Sequence, residues 1–270
     1  MSFKPFLRPN RILAALERGD VALGMQMYTH DADMVEIVGY AGFDYVMLDM
    51  EHNRTNPETM VTLIRAAEVS GLTPLVRVGA NDRFLIRSAV ESGAQGIVVP
   101  HVKTAQEARD AMSASHYPPE GTCGICPAIR ASGYSQDNWE EYMAASNRQI
   151  MFIPLLEDVE AIDNAEEIIS VLKPGRDAVG VGGADIANAM LKDPGEPVQW
   201  AHPYLRDAYQ KVKALCEAKD IPMQGMAFPT SDRAGVEAAK ANGSSIILFY
   251  PDSHIWMQAC RTIINNVRGE

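Results

Sequence analysis

The sequence predicts a single parallel (β/α)8 barrel of the TIM type over residues 1–270. Three observations predict it. Eight short apolar runs, edged by Gly and Pro, read as buried strands. Helix-period segments separate them, and alternating strand and helix means parallel strands joined by crossovers. A length of 270 residues suits one closed barrel, about 250 residues in typical cases, better than an open sheet.

The strands begin near Val21 (Val-Ala-Leu-Gly-Met-Gln-Met), Tyr45 (Tyr-Val-Met-Leu), Pro74 (Pro-Leu-Val-Arg-Val), Gly96 (Gly-Ile-Val-Val), Met151, Ala178, Pro222 and Ile246. Helical patterns run from Pro57 to Ser70, Asp82 to Ser92, Thr104 to Ser115, Val159 to Val171 and Ser231 to Ala241. Their starts carry caps or an early proline: Asn56-Pro57, Asn81-Asp82, Thr104 and Thr230-Ser231-Asp232. Gly71, Gly93 and Gly243 close three of them. Two connections are long, His116 to about Asn138 and Lys192 to Pro203. Such loops serve as lids or contact surfaces, and neither divides the chain, because the strand–helix rhythm resumes after each.

Composition narrows the partners. A net charge of -11 without a basic run argues against nucleic acid and anionic membranes. No apolar run reaches the roughly 18 residues of a membrane span, and the N-terminus lacks a signal-peptide core. The expectation is a soluble cytoplasmic protein acting on a small molecule. Cys123-Gly-Ile-Cys126 has zinc-knuckle spacing, but no second pair follows, so ordinary reduced thiols are expected for Cys123, Cys126, Cys216 and Cys260.

Polar residues gather just after the strands, where parallel barrels keep their chemistry: Asp49, Glu51 and His52, then Arg77, His101, Glu157, Asp185 and Asp252. Strand alternation points Asp49 and Glu51 the same way. His52 starts the next loop, as a general base or as a loop histidine bonded to backbone. Arg77, inside an apolar strand, is either a clamp for a substrate carboxylate or half of a buried ion pair with Asp49 or Glu51. Glu157 and Asp185 follow successive strands, one strand-plus-helix repeat apart. Each alone reads equally as a helix-terminal acid. Together they favour a hard divalent cation, Mg²⁺ or Mn²⁺ before zinc. Gly180-Val-Gly182-Gly183 lacks the spacing of a dinucleotide fingerprint, because Asp185 stands where its last glycine belongs. This segment, with Gly183 and Ala184, instead lets backbone amides approach a small ligand. Phe228 either walls the pocket or belongs to the core.

In this order, Gly42-Phe-Asp-Tyr-Val-Met-Leu-Asp-Met-Glu-His52, Val76-Arg77-Val78, Val98-Val-Pro100, Glu107-Ala-Arg109, Tyr117-Pro-Pro-x-Gly121, Glu157 and Gly-x-Ala-Asp185 resemble the HpcH/HpaI family of metal-dependent pyruvate aldolases. The likeness covers roughly residues 10–265. It implies reversible cleavage of a 4-hydroxy-2-oxo acid to pyruvate and an aldehyde. Glu157 and Asp185 would bind the divalent metal (Mg²⁺ or Mn²⁺, with Co²⁺ as a further candidate). Arg77 would bind pyruvate and steady its enolate, and His52 would act as or assist the base. Asp49 and Glu51 would hold metal-bound water or His52. It also implies a homo-oligomer, a hexamer or trimer of dimers, with the C-terminal helix near 252–267 on a neighbouring subunit. No lysine sits inside a predicted strand, which disfavours a Schiff-base route. The alternatives are a related lyase, such as an oxaloacetate-type decarboxylase or acyl-CoA lyase, and a non-catalytic metabolite-binding protein. The chain departs from the family pattern at Gly183, Ala187, Leu155, Cys123, Gln26 and Glu91.

Overall fold

The computed structural model describes residues 7–135, 137, 139–191, 193, 195, 197–227 and 230–269. Eight parallel strands close into a barrel in chain order: β1 (Ala22–Met27), β2 (Tyr45–Asp49), β3 (Thr73–Arg77), β4 (Gly96–Val99), β5 (Met151–Leu156), β6 (Val179–Val181), β7 (Met223–Met226) and β8 (Ser244–Phe249). Every expected run is a strand. The one with the most displaced start is β8, which begins at Ser244 rather than Ile246.

Side-chain alternation splits the core into two layers. Tyr45, Met47, Leu75, Val98, Met151, Ile153, Leu155, Ile246 and Leu248 fill the barrel interior. Val46, Leu48, Val76, Ile97, Val99, Phe152 and Leu156 face the surrounding helices. Gly24 makes room for the interior: a Cβ there would lie 2.3 Å from the Tyr45 ring. Helix α1 (Arg11–Glu17) closes the N-terminal mouth by adding Ile12 and Ala15 to the same cluster. The inward parity then reaches the opposite mouth, where Met47 is followed by Asp49, Leu75 by Arg77 and Leu155 by Glu157.

The outer helices are α2 (Ala32–Tyr40), α3 (Pro57–Val69), α4 (Arg83–Ser92), α5 (Ala105–Ser115), α6 (Trp139–Gln149), α7 (Val159–Asp163), α8 (Ala165–Ile169), α9 (Gly183–Ala189), α10 (Pro203–Lys219), α11 (Arg233–Ala241) and α12 (Asp252–Arg268). The expected caps are in place: Asn56, Asp82, Thr104 and Asp232 each accept backbone N–H groups. The Val159–Val171 pattern is not one helix. It breaks at Asn164, whose Nδ2 donates to the Lys103 carbonyl at 2.9 Å. Lys211 Nζ takes the Ile162 and Asp163 carbonyls at 2.7 and 3.1 Å, so the first turn ends on a side chain instead of continuing. Among the described residues, no helix is long and apolar enough to cross a membrane.

Candidate active site

The polar layer at the C-terminal mouth begins with Asp49 and Arg77, direct register partners on β2 and β3. Both are buried. Arg77 donates from Nε to Asp49 Oδ2, with Nη2 against the same oxygen. Its Nη1 lies 3.1 Å from Glu51 Oε2, and Nη2 lies 3.4 Å from the Tyr28 hydroxyl. The ion pair weighed for Arg77 is therefore present, and it involves both acids. Burial opposes the guanidinium charge, but Asp49 and then Glu51 outweigh it and hold the group above its ordinary pKa.

Asp49 is fully engaged. Oδ2 also accepts from Gln26 Nε2 at 3.2 Å, while Oδ1 accepts the backbone N–H groups of Glu51 and His52 at 3.0 and 2.8 Å. This turn carries Glu51 back to Arg77. Strand β2 has already ended, so the shared direction of Asp49 and Glu51 comes from the Asp49 clasp and not from the pleat. His52 is exposed, with Nε2 3.7 Å from Glu51 Oε2.

A second group forms across the mouth. Glu157 follows β5 and is buried, and its Oε1 accepts the His101 N–H at 2.8 Å. Burial pushes the Glu157 carboxyl up to about 7, with repulsion from Glu51 and Asp185 adding to the rise. Asp185 is half-buried in the first turn of α9, outside the group of ligand atoms that Glu51, His101 and Glu157 bring together. Gly182 lies against Glu157: a Cβ there would meet Glu157 Cβ at 2.4 Å and Oε2 at 2.5 Å. The β6–α9 turn rests on Tyr209, whose hydroxyl donates to the Val181 carbonyl at 3.0 Å and whose ring lies beside Gly183. Ala184 is exposed on that turn. Phe228 lies outside the described residues.

His101, visible in the sequence as a rim residue but given no role there, joins the two groups. Its Nδ1 lies 3.0 Å from Asp158 Oδ2 and 3.7 Å from Glu157 Oε1, and its Nε2 lies 3.7 Å from Glu51 Oε1. Partial burial lowers its pKa, but Asp158, Glu157 and Glu51 outweigh that effect and raise it. Its partners come from the loops after β2 and β5, so no sequence spacing could reveal them.

The donors fit a hard divalent ion. Glu51, His101 and Glu157 each offer a ligand atom, all within 4.8 Å of one another. Glu51 Oε2 is buried and makes no hydrogen bond, despite its closeness to Arg77. Two acids facing one space repel unless a cation sits between them.

A closed parallel barrel with acids, an arginine and a histidine converging at its C-terminal mouth is a small-molecule enzyme of the barrel class. Residues 23–248 match the family model described as HpcH/HpaI aldolase/citrate lyase, and the chain belongs to that family of carbon–carbon lyases. It is 35% identical over 208 residues to a 2-dehydro-3,6-dideoxy-6-sulfogluconate aldolase of Pseudomonas putida, covering 77% of this chain and 78% of that protein. It is 34% identical over 213 residues to a hydroxypyruvate/pyruvate aldolase of Sagittula stellata, covering 77% and 81%. The fold is similar to the crystal structure of a family member from Burkholderia cenocepacia, with a TM-score of 0.84 at 24% identity over 96% of this chain and 99% of that one.

Proposed function

We propose that the chain is a divalent-metal-dependent aldolase that reversibly cleaves a 4-hydroxy-2-oxo acid to pyruvate and an aldehyde. The observation that carries this reading is the convergence of Glu51, His101 and Glu157 at the mouth, with the charge of Asp185 acting on Glu157. Glu157 and Asp185 would hold the ion, Mg²⁺, Mn²⁺ or Co²⁺, which supplies Lewis-acid stabilisation of charge on the 2-oxo oxygen. Arg77 is held in place by Asp49 and Glu51; it would meet the pyruvate carboxylate and add positive charge as the C3–C4 bond breaks. His52, exposed beside Glu51, takes the 4-hydroxyl proton directly or through water. The Gly183 and Ala184 amides border the substrate. Aldolase names on both relatives support the reading. The second reading, a related lyase acting on a citrate-like acid, is favoured by the family's own description.

The test is methyl-proton exchange of pyruvate in D₂O, followed by NMR with metal-stripped protein and then with Mg²⁺, Mn²⁺ or Co²⁺ restored. Exchange that requires the ion supports the reading. Absence of exchange with every ion overturns it.

A further inference from the structure

We propose that the Tyr28 hydroxyl donates a hydrogen bond to the substrate carboxylate at Arg77, making a two-donor clamp that recognises the acid end of a 2-oxo acid; the inference rests on the aldolase reading above. Tyr28 is the first residue after β1, at the same C-terminal mouth. Gln26 pairs in register with Met47, one of the interior residues, so Tyr28 continues the inward parity up to the level of Asp49. Asp252 fixes the backbone there: its Oδ1 accepts the Tyr28 N–H at 2.8 Å and its Oδ2 accepts the Thr29 N–H at 3.1 Å. The Tyr28 side chain is half-buried, so the phenol is not sealed off from an entering ligand.

The hydroxyl has donors around it and a proton to spare. Gln26 Nε2 donates to its oxygen at 3.3 Å and Arg77 Nη2 at 3.4 Å. Gln26 Nε2 also donates to Asp49 Oδ2 at 3.2 Å, which sets that amide with its nitrogen toward the acid. Among the described residues, no hydrogen bond takes up the phenolic proton. Burial first and Asp49 second hold the Tyr28 pKa above its ordinary value, against the pull of Arg77, so the proton is there to give at neutral pH. Both contacts to the phenol oxygen are long for hydrogen bonds. A carboxylate oxygen beside Arg77 Nη2 is a stronger acceptor than a phenol, and it would take one hydrogen from the guanidinium and one from Tyr28.

Tyr28→Phe in the full chain tests this, because it removes one oxygen and keeps the ring. With Mn²⁺ supplied, calorimetry should show pyruvate binding weakened about 10-fold or more, the loss expected for a hydrogen bond to a charged group. The KM for pyruvate in the D₂O exchange reaction should rise by the same factor, with kcat within about twofold of the wild type and the melting temperature unchanged. A merely structural role would misplace Arg77 and lower kcat as well. Unchanged affinity and KM in Tyr28→Phe overturn the inference and leave the aldolase reading standing. A fall in kcat that matches or exceeds the rise in KM overturns it too. Pyruvate that binds the wild type, and binds Tyr28→Phe about tenfold less tightly, without exchange under any ion supports the clamp and overturns the aldolase reading. A wild type that does not bind pyruvate overturns both.

Discussion

A guanidinium under the barrel mouth with two acids on it is a balance that removal of one partner upsets. Arg77→Ala leaves Asp49 and Glu51 facing each other without compensation, at an expected loss of about 3–5 kcal/mol in stability along with pyruvate-dependent exchange. Urea unfolding checks the first effect and NMR the second. An unchanged unfolding midpoint would remove the structural role. Burial likewise governs His116 at the end of α5. Its Nδ1 meets the Met112 carbonyl and the Ser115 hydroxyl at 2.9 Å, while Nε2 is buried without a partner. Burial first and Arg176 second hold its pKa below the ordinary value, against the weaker pull of the Met112 carbonyl, Asp177 and Glu120. The unfolded chain therefore takes up the proton first. His116 contributes full stability above about pH 6.5, and the contribution declines as pH falls toward the lower folded-state value. Unfolding free energies near pH 7.5 and near pH 5.5 should differ more in the wild type than in His116→Gln, and equal differences would sink the assignment.

At the scale of elements, loops set the site and helices report their own ends. Gly182 ends β6 with no side chain because Glu157 occupies the space where one would go. Gly182→Ala should displace the Glu157 carboxylate and cut Mn²⁺ affinity at least about tenfold, with little change in melting temperature. Wild-type affinity would show that the turn simply gives way. Thr104→Ala should cost about 1 kcal/mol, since Thr104 and Glu107 form a reciprocal capping box at the start of α5. That cap was legible in the sequence, as Thr-Ala-Gln-Glu before a helical pattern. So were the eight strands, each a buried run, while the pairing of Arg77 with Asp49 or Glu51 was one of two readings the sequence left open. The break at Asn164 was not legible, because Lys211 and Lys103, which divert the groups around it, lie far off in sequence. Helices α1 and α6 were not read as such. His101 was legible only as a polar residue after β4, since its partners come from the loops after β2 and β5.

For the whole molecule, α12 is the element that does not fit a lone barrel. A helix after the eighth strand should cover β8 and β1. Yet the only buried residue of α12 is Asp252, whose carboxylate holds the Tyr28 and Thr29 N–H groups at 2.8 and 3.1 Å. Beyond that anchor the helix carries its apolar residues into the open: Trp256 is 66% exposed and Val267 78%. The flank it leaves is apolar too, with Leu23, Met25 and Phe43 only partly buried there. Two unsatisfied apolar faces on one chain are satisfied together when two copies exchange helices, a closed and reciprocal contact. The expected outcome is an oligomer of even order, consistent with the hexamer that the family resemblance implies. Its melting temperature should rise with protein concentration, because association stabilises the folded form. Ending the chain after Ser253 keeps the Asp252 anchor and should yield a smaller species by light scattering, and Trp256→Glu should push in the same direction. A full-length protein that is monomeric at micromolar concentration, with a melting temperature independent of concentration, would mean that α12 has no such partner and that exposed apolar surface is tolerated on the single barrel.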